Sequence, residues 1–277
     1  MQMSFDDQAG NFGMGYVITL EDGSYLVIDG GGQHDGDAEK LFRYLSENNR
    51  RADGKIVIRA WILTHEHYDH IGGFLSFAQK YAGNVTLERL LWNMVPYYEA
   101  KGYAGFYYGK IQSAVAAFGN VELIKIHAGQ KAVFVNAEID FLFATEQLAP
   151  YMIIEMNETS LVFRVKISDK TVLFLADIST PADGKRNSAV SLLFQMYGAE
   201  LKADICQIGH HGWNGGSVDI YNAVAPDIIL WPVEESRWEK VSQYATSKHL
   251  LKMVAEGIIK QMYVAKDGQV ILLLKAS

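Results

Sequence analysis

The sequence predicts an α/β fold in which two sheets lie sandwiched between helices. Three observations carry that expectation. Strand-like runs fall into two halves of the chain, and each half also holds segments with helical periodicity. Three of the apolar runs stop abruptly at His or Asp, as strand ends that feed a shared site would. No linker, low-complexity tract or short repeat interrupts the 277 residues, so one compact domain over 1–277 is expected.

The elements follow in order. Residues 15–20 and 25–28 are short apolar strands, joined by Glu21-Asp22-Gly23-Ser24, a hairpin turn signal. The second strand ends in Asp29-Gly30-Gly31-Gly32. Asp37 is placed to cap a helix with Leu41, Phe42 and Leu45 on one face. Residues 56–63 are mostly apolar and rich in β-branched side chains, hence strand, and a helix follows over 71–81. Residues 85–92 read as strand. Residues 96–109 form an insertion holding Tyr97, Tyr98, Tyr103, Phe106, Tyr107 and Tyr108, spaced by glycines. A helix is expected at 110–118, and strands at 121–126, 132–135 and 139–144. A further hairpin, 160–166 and 171–176, turns at Ser168-Asp169-Lys170. After Asp177 a β/α rhythm sets in. Its helices are expected at 187–197, 218–223 and 245–256, and its strands at 204–208, 227–230, 261–264 and 270–274.

Composition narrows the function. Apolar residues at 49% and charged residues at 21% are those of a globular protein. The net charge of −7 argues against a general binder of nucleic acid or acidic membrane, which normally shows a basic face. Cys206 is the only cysteine, which rules out an intrachain disulfide and fits a reducing compartment. The first ten residues show no basic and apolar signal pattern, and no apolar run reaches membrane-spanning length. A cytoplasmic location and a small-molecule substrate are therefore expected, with no membrane partner.

The densest chemistry lies in Thr64-His65-Glu66-His67-Tyr68-Asp69-His70-Ile71-Gly72-Gly73, directly after the strand at 56–63. Neutral imidazole suits zinc, and carboxylate oxygens complete such sites. His65 and His67 alternate with Glu66, so in extended backbone both point the same way. Asp69 and His70 open the next helix and can face a second ion. Asp177 ends a second apolar run, Phe174-Leu175-Ala176-Asp177. Taken alone it reads as a structural turn residue. A third run ends in Gly209-His210-His211-Gly212. Five of the eight histidines fall in two of these clusters.

Joined together, these motifs resemble the metallo-β-lactamase superfamily over nearly the whole chain. The resemblance rests on Leu26-Val27-Ile28-Asp29-Gly30-Gly31, His65-x-His67-x-Asp69-His70, Asp177 and His210-His211-Gly212. Asn157-Glu158-Thr159-Ser160-Leu161-Val162 and Leu175-Ala176-Asp177 are similar to one branch of it. That branch holds the metallo-domain of DNA-uptake competence proteins and the phosphorylcholine esterases. The resemblance implies a metallo-β-lactamase-like αββα four-layer sandwich with two divalent ions, zinc in most members, manganese or iron in others. It implies that His65 and His67 hold the first ion, that Asp69, His70 and His210 hold the second, and that Asp177 bridges them. His211 is then an alternative ligand or a contact to the anionic group of the substrate. Asp29 supports a ligand or the turn from behind, or is simply a turn aspartate.

One departure matters. Many members add a third histidine to the first ion, and the only histidine in that interval here is His127, in a turn that reads as surface. The strand end Phe143-Ala144-Thr145-Glu146 offers Thr145 or Glu146 as oxygen ligands instead. His249 reads as a surface or helix-start residue, with a phosphate contact as the alternative. The tyrosine-rich segment is either packing or a substrate lid, in which Tyr97 and Tyr98 would form an aromatic cage. The implied activity is metal-assisted hydrolysis by an activated hydroxide, with Asp69 and His211 as catalytic groups. A phosphodiester or phosphorylated small molecule is the expected substrate. The alternatives are a lactone, thioester or β-lactam hydrolase, a nuclease-like domain, and a non-catalytic metal-binding module.

Overall fold

The computed structural model describes residues 1–5, 13–94, 104–148, 155–180 and 188–274, with the side chains of 104–106 left aside. The first sheet is built from β1 (Gly15–Thr19), β2 (Tyr25–Asp29), β3 (Ile56–Leu63), β4 (Val85–Leu87), β5 (Arg89–Trp92) and β6 (Glu122–Lys125). Its order is β1-β2-β3-β5-β6, with β4 also pairing β3. Only the opening hairpin is antiparallel; β2, β3, β5 and β6 run parallel. Crossover helices α1 (Asp35–Glu47), α2 (Tyr68–Tyr81) and α3 (Ala104–Ala117) make that direction possible.

The second sheet holds β7 (Lys131–Phe134), β8 (Ala137–Phe143), β9 (Val162–Ile167), β10 (Lys170–Phe174), β11 (Ile205–Gln207), β12 (Ile228–Trp231) and β13 (Gln261–Val264). Its spatial order simply reverses the chain order. The meander from β7 to β10 is antiparallel, and β10 to β13 are parallel. Helices α4 (Ala189–Tyr197), α5 (Val218–Val224), α6 (Glu235–Val241) and α7 (Ala245–Ala255) accompany the parallel part.

Three apolar cores define four layers. Tyr25 and Val27 join the helix-side core of the first sheet, whereas Leu26 and Ile28 face the second sheet, as a period of two requires. Phe141, Phe163 and Phe174 fill the space between the sheets, and Tyr16 meets Phe174 edge-on at 5.2 Å. Leu173, Cys206, Ile229 and Trp231 face outward to the helices of the second half. The expected αββα sandwich is the observed one. The burial of β3 keeps this alternation only because its register slips. Tyr25 pairs Ile58 but Leu26 pairs Ala60, so Arg59 bulges out. Its guanidinium then meets Asp22 at 2.7 Å and Glu88 at 2.6 Å.

Five details differ from expectation. The helix placed at 110–118 begins at Ala104, so the end of the tyrosine-rich insertion is helix rather than loop. Packing on α2 and the 5.1 Å contact of Tyr108 with Trp92 outweigh the glycines that suggested a loop. Asp37 does not cap α1, which starts at Asp35 with His34 before it. Residues 270–274 do not form a strand: Val270 bridges Gln2, but Leu273 is 87% exposed. Helix α6 was not among the expected helices, and it forms where Trp238 packs edge-on against Trp231 at 4.9 Å. The run 85–92 also breaks in two at Glu88, whose N–H donates to Ile58 O.

Candidate metal centre

The C-terminal ends of β2, β3, β10 and β11 meet at one edge of the sandwich. Such strand ends in parallel sheets are where side chains can converge. The backbone is unusual there. Asp29, Ala176, His210 and His211 all adopt left-handed φ values, between 45° and 52°. Each costs a non-glycine residue about 1–3 kcal/mol, and such strain gathers at functional sites. Hydrogen bonds hold the turns. His210 N–H donates to Ala176 O at 3.0 Å, and the Gln207 side chain accepts from Leu175 N and donates to Ala176 O. The start of α2 is pressed onto the turn after β2. A Cβ at Gly73 would lie 1.8 Å from Gly30 O, so only glycine fits.

The imidazoles are oriented from behind. Asp29 accepts from Thr64 N at 2.8 Å and Thr64 Oγ1 at 2.7 Å, and pairs with His70 Nδ1 at 2.7 Å. His211 Nδ1 donates to Pro232 O at 2.6 Å. Thr64 Oγ1, whose own proton goes to Asp29, lies 3.1 Å from His65 Nδ1 and can accept from it. The outer nitrogen of each ring is thereby committed. The inner Nε2 atoms of His65, His70 and His211 turn into a common space, the arrangement that fixes metal-ligating tautomers.

Two groups of ligand-type atoms result: Asp69, His70, Asp177 and His211, and His65, His67 and Asp177. In the first, His70 Nε2 lies 3.3 Å from His211 Nε2 and 3.1 Å from Asp177 Oδ2. His211 Nε2 lies 3.3 Å from Asp69 Oδ2 and 3.5 Å from Asp177 Oδ2. A tetrahedral ion with ligands at about 2.0–2.1 Å sets neighbouring ligand atoms roughly 3.3 Å apart. The four-residue pocket therefore has the edges of such a site. In the second group His65 Nε2 faces His67 Nδ1 at 3.1 Å. With His65 Nδ1 turned to Thr64, its Nε2 lone pair faces His67 Nδ1, and a cation between the two nitrogens could take both.

The charges agree. Burial opposes ionisation of His70, but Asp177 and Asp29 outweigh it and lift its pKa to about 10. Burial likewise opposes His211, which Asp177 and Asp69 hold well above the ordinary histidine value. Burial would raise Asp177 and Asp69, yet His70 and His211 bring both below the usual carboxylate range. Protons on two imidazoles thus supply the positive charge that these carboxylates need. On the other side, burial and the neighbouring His70 and His67 keep His65 well below its usual value. Glu66 is 1% exposed with neither oxygen hydrogen-bonded, and burial raises it to about 8.

Each sequence-derived candidate can now be placed. His65, His67, Asp69, His70 and Asp177 converge, and Asp29 stands behind them. The sequence reading put His210 among the ligands and His211 beside it; the geometry exchanges them. His211 enters the four-residue pocket, whereas His210 Nε2 lies 3.1 Å from Asn157 Nδ2. The consecutive left-handed residues of this turn decide which ring points inward. Thr145 and Glu146 do not join. Thr145 Oγ1 donates to backbone carbonyls, and Glu146 is held by His127 at 2.7 Å and Asn93 at 2.6 Å. His127 is on the surface, as expected. His249 pairs with Asn222 at 2.8 Å, on α7 and α5, and is no part of the cluster. Tyr97 and Tyr98 lie outside the described residues. Sequence reasoning gave no role to Asn157 or Thr64. The Asn157 motif was visible, but a carboxamide has no titratable signature.

Comparisons with known proteins establish the family and the fold. The profile of the Metallo-beta-lactamase superfamily matches residues 10–226. No curated protein shows significant similarity. Among solved structures, the metallo-beta-lactamase fold protein YhfI from Bacillus subtilis is 17% identical, covering 97% of this chain and 95% of its own, with a TM-score of 0.55. Zn(2+)-bound PqqB from Methylobacterium extorquens is 11% identical over 94% of this chain and 87% of its own, also at 0.55. These likenesses concern the fold. The family match spans most of the chain, which belongs to the metallo-beta-lactamase superfamily.

Proposed function

We propose, from that membership as premise, that the protein is a dinuclear metallohydrolase acting on a phosphodiester or related phosphorylated small molecule. The observation that carries the reading is the pair of ligand pockets sharing Asp177, one with edges of 3.1–3.5 Å. Buried imidazole and carboxylate together suit zinc, and the superfamily typically holds two ions. Such ions, when bound, lower the pKa of water towards 7 and polarise the attacked centre.

The residues divide the remaining work. His65, His67, Asp69, His70 and His211 bind, and Asp177 is common to both pockets. Asp29 and the Pro232 carbonyl hold the His70 and His211 rings in place. The Asp69 carboxylate orients the attacking water and takes up its proton. His210 lies outside the ligand set, and burial keeps it neutral. Its Nε2 accepts from Asn157, so its proton sits on Nδ1, a buried atom with no partner.

Two further features support an anionic substrate. Trp213 follows the His210-His211 turn directly, packs against Tyr244 at 5.9 Å, and carries the Lys240 ammonium over its ring at 4.5 Å. Aromatic faces beside an ammonium suit a phosphate ester with an organic head group. The likeness of the Asn157 to Val162 motif to competence-type domains and phosphorylcholine esterases points the same way.

A panel of chromogenic phosphodiesters, phosphorylcholine esters, lactones and nitrocefin, with zinc and with manganese, tests this. Turnover of a phosphate ester that vanishes in Asp177→Ala is expected. Faster turnover of a lactone or nitrocefin than of every phosphate ester would overturn the substrate class. Fewer than about one bound transition metal per chain in natively purified protein would overturn the dinuclear reading.

A further inference from the structure

The two pockets have unequal protein ligands, four around His70 and three around His65. Beside the poorer one stands an amide that nothing yet explains. Asn157 opens a short 3₁₀ turn, residues Met156–Thr159, just before β9. Asn157 is 6% exposed, and its Oδ1 is buried with no hydrogen-bond partner among the described residues. Buried amide oxygens are almost always paired, so an orphan calls for a physical reason.

Its position suggests one. Asn157 Nδ2 lies 3.1 Å from His210 Nε2, a contact in which the NH₂ donates to the ring nitrogen and which leaves Oδ1 facing away from that ring. Two contacts just after its turn reach the centre, one to the shared Asp177 and one to the strand end that leads into His65. Asp177 Oδ1 is likewise buried without a hydrogen-bond partner among the described residues. The Ser160 side chain ties this segment to the site, since its Oγ accepts from Asp177 N at 3.2 Å. Next to it, Leu161 N donates to Thr64 O at 2.9 Å.

We infer that Asn157 supplies its Oδ1 as the further protein ligand of the His65–His67 ion, with His210 holding the amide in that orientation. This rests on the dinuclear reading above and deepens it. A neutral carboxamide oxygen is a harder, weaker ligand than imidazole. The pocket that uses it favours manganese, relative to zinc, more than an all-imidazole site would.

The test uses the full chain, stripped of metal and titrated with Zn²⁺ or Mn²⁺ against a competing chromophoric chelator. Wild type is expected to bind two ions. Asn157→Ala should weaken the lower-affinity ion by about 10–100-fold and leave the other within about 2-fold. Asn157→His should tighten Zn²⁺ at the lower-affinity site and weaken Mn²⁺ there. If Asn157→Ala does not fold by thermal melting, Asn157→His and Asn157→Asp decide, through a shift in the Zn²⁺ to Mn²⁺ affinity ratio. Two ions bound by wild type with unchanged affinities in Asn157→Ala, or an unchanged ratio in the two conservative variants, would overturn this inference alone. A wild type that binds fewer than two ions would overturn it together with the dinuclear reading.

Discussion

The two halves of the metal centre are assembled by different means. The His70 half draws its ligands from three places, the start of α2, the end of β10 and the turn after β11. Each is braced from behind: His70 by Asp29 at 2.7 Å, His211 by Pro232 O at 2.6 Å, Asp177 by Ser160. The His65 half draws two ligands from one extended turn. His65 has only the Thr64 hydroxyl behind it, and His67 is half-buried. Ligands fixed by buried partners lose little freedom on binding, so the His70 half should be the tighter of the two.

Asp177 serves both halves, and its removal should have the largest effect. Asp177→Ala is expected to lose both ions and to reduce hydrolysis to background, measured by metal analysis and turnover together. Survival of activity would break the shared-ligand scheme. Gly73→Ala comes next. Its methyl group would meet Gly30 O, and overpacking of this kind costs about 1–3 kcal/mol or more. A lowered Tm with reduced binding at the His70 half is expected, because Asp69 and His70 ride on the same helix start.

Asp29→Asn sharpens the comparison. The amide cannot accept from Thr64 N, Thr64 Oγ1 and His70 Nδ1 together, so the His70 half should weaken by about 10–100-fold. The His65 half should change less, which competitive chelator titration can show. Proton counting is a subtler probe. His70 held at about 10 is protonated at neutral pH without metal, and an ion bound through Nε2 must displace that proton. Calorimetry in buffers of different ionisation enthalpy should find protons released, with apparent affinity falling as pH falls. No proton release would contradict the charge arrangement.

The smallest effect lies away from the centre. Asp22 is held at about 2: burial would raise it, but Ser24 and Arg59 lower it further. Its folded value lies below its unfolded value, so its contribution exists above about pH 4 and is lost as pH falls towards 2. The pair is partly exposed, and Asp22→Asn should cost less than about 1 kcal/mol, visible only as a small change in acid unfolding.

Much of the richer chemistry was readable because it is local. His65, His67, Asp69 and His70 lie in one turn after one apolar strand, and spacing alone brings them together. Asp177 became meaningful only as the end of a second such strand. The choice between His210 and His211 was not readable, because left-handed backbone at both positions abolishes the alternation that sequence reasoning relies on. Asp29 could be read as support for a ligand or as a strand-ending turn residue, and only its contact with His70, 41 positions away, decides for the first. Thr145 and Glu146 failed as ligands because Glu146 is held by His127 and Asn93, neighbours that only the tertiary fold reveals. The Arg59 bulge within an apolar strand and the short helix α6 were missed for the same reason: both follow from contacts made across the fold.

The most direct test of the unequal, dinuclear centre is a stepwise zinc titration of wild type beside His67→Ala and His70→Ala. Two ions of distinct affinity are predicted for wild type. His67→Ala should keep the tighter ion and lose the weaker, and His70→Ala should lose the tighter. Equal affinities in wild type, or loss of the tighter ion in His67→Ala, would contradict the account.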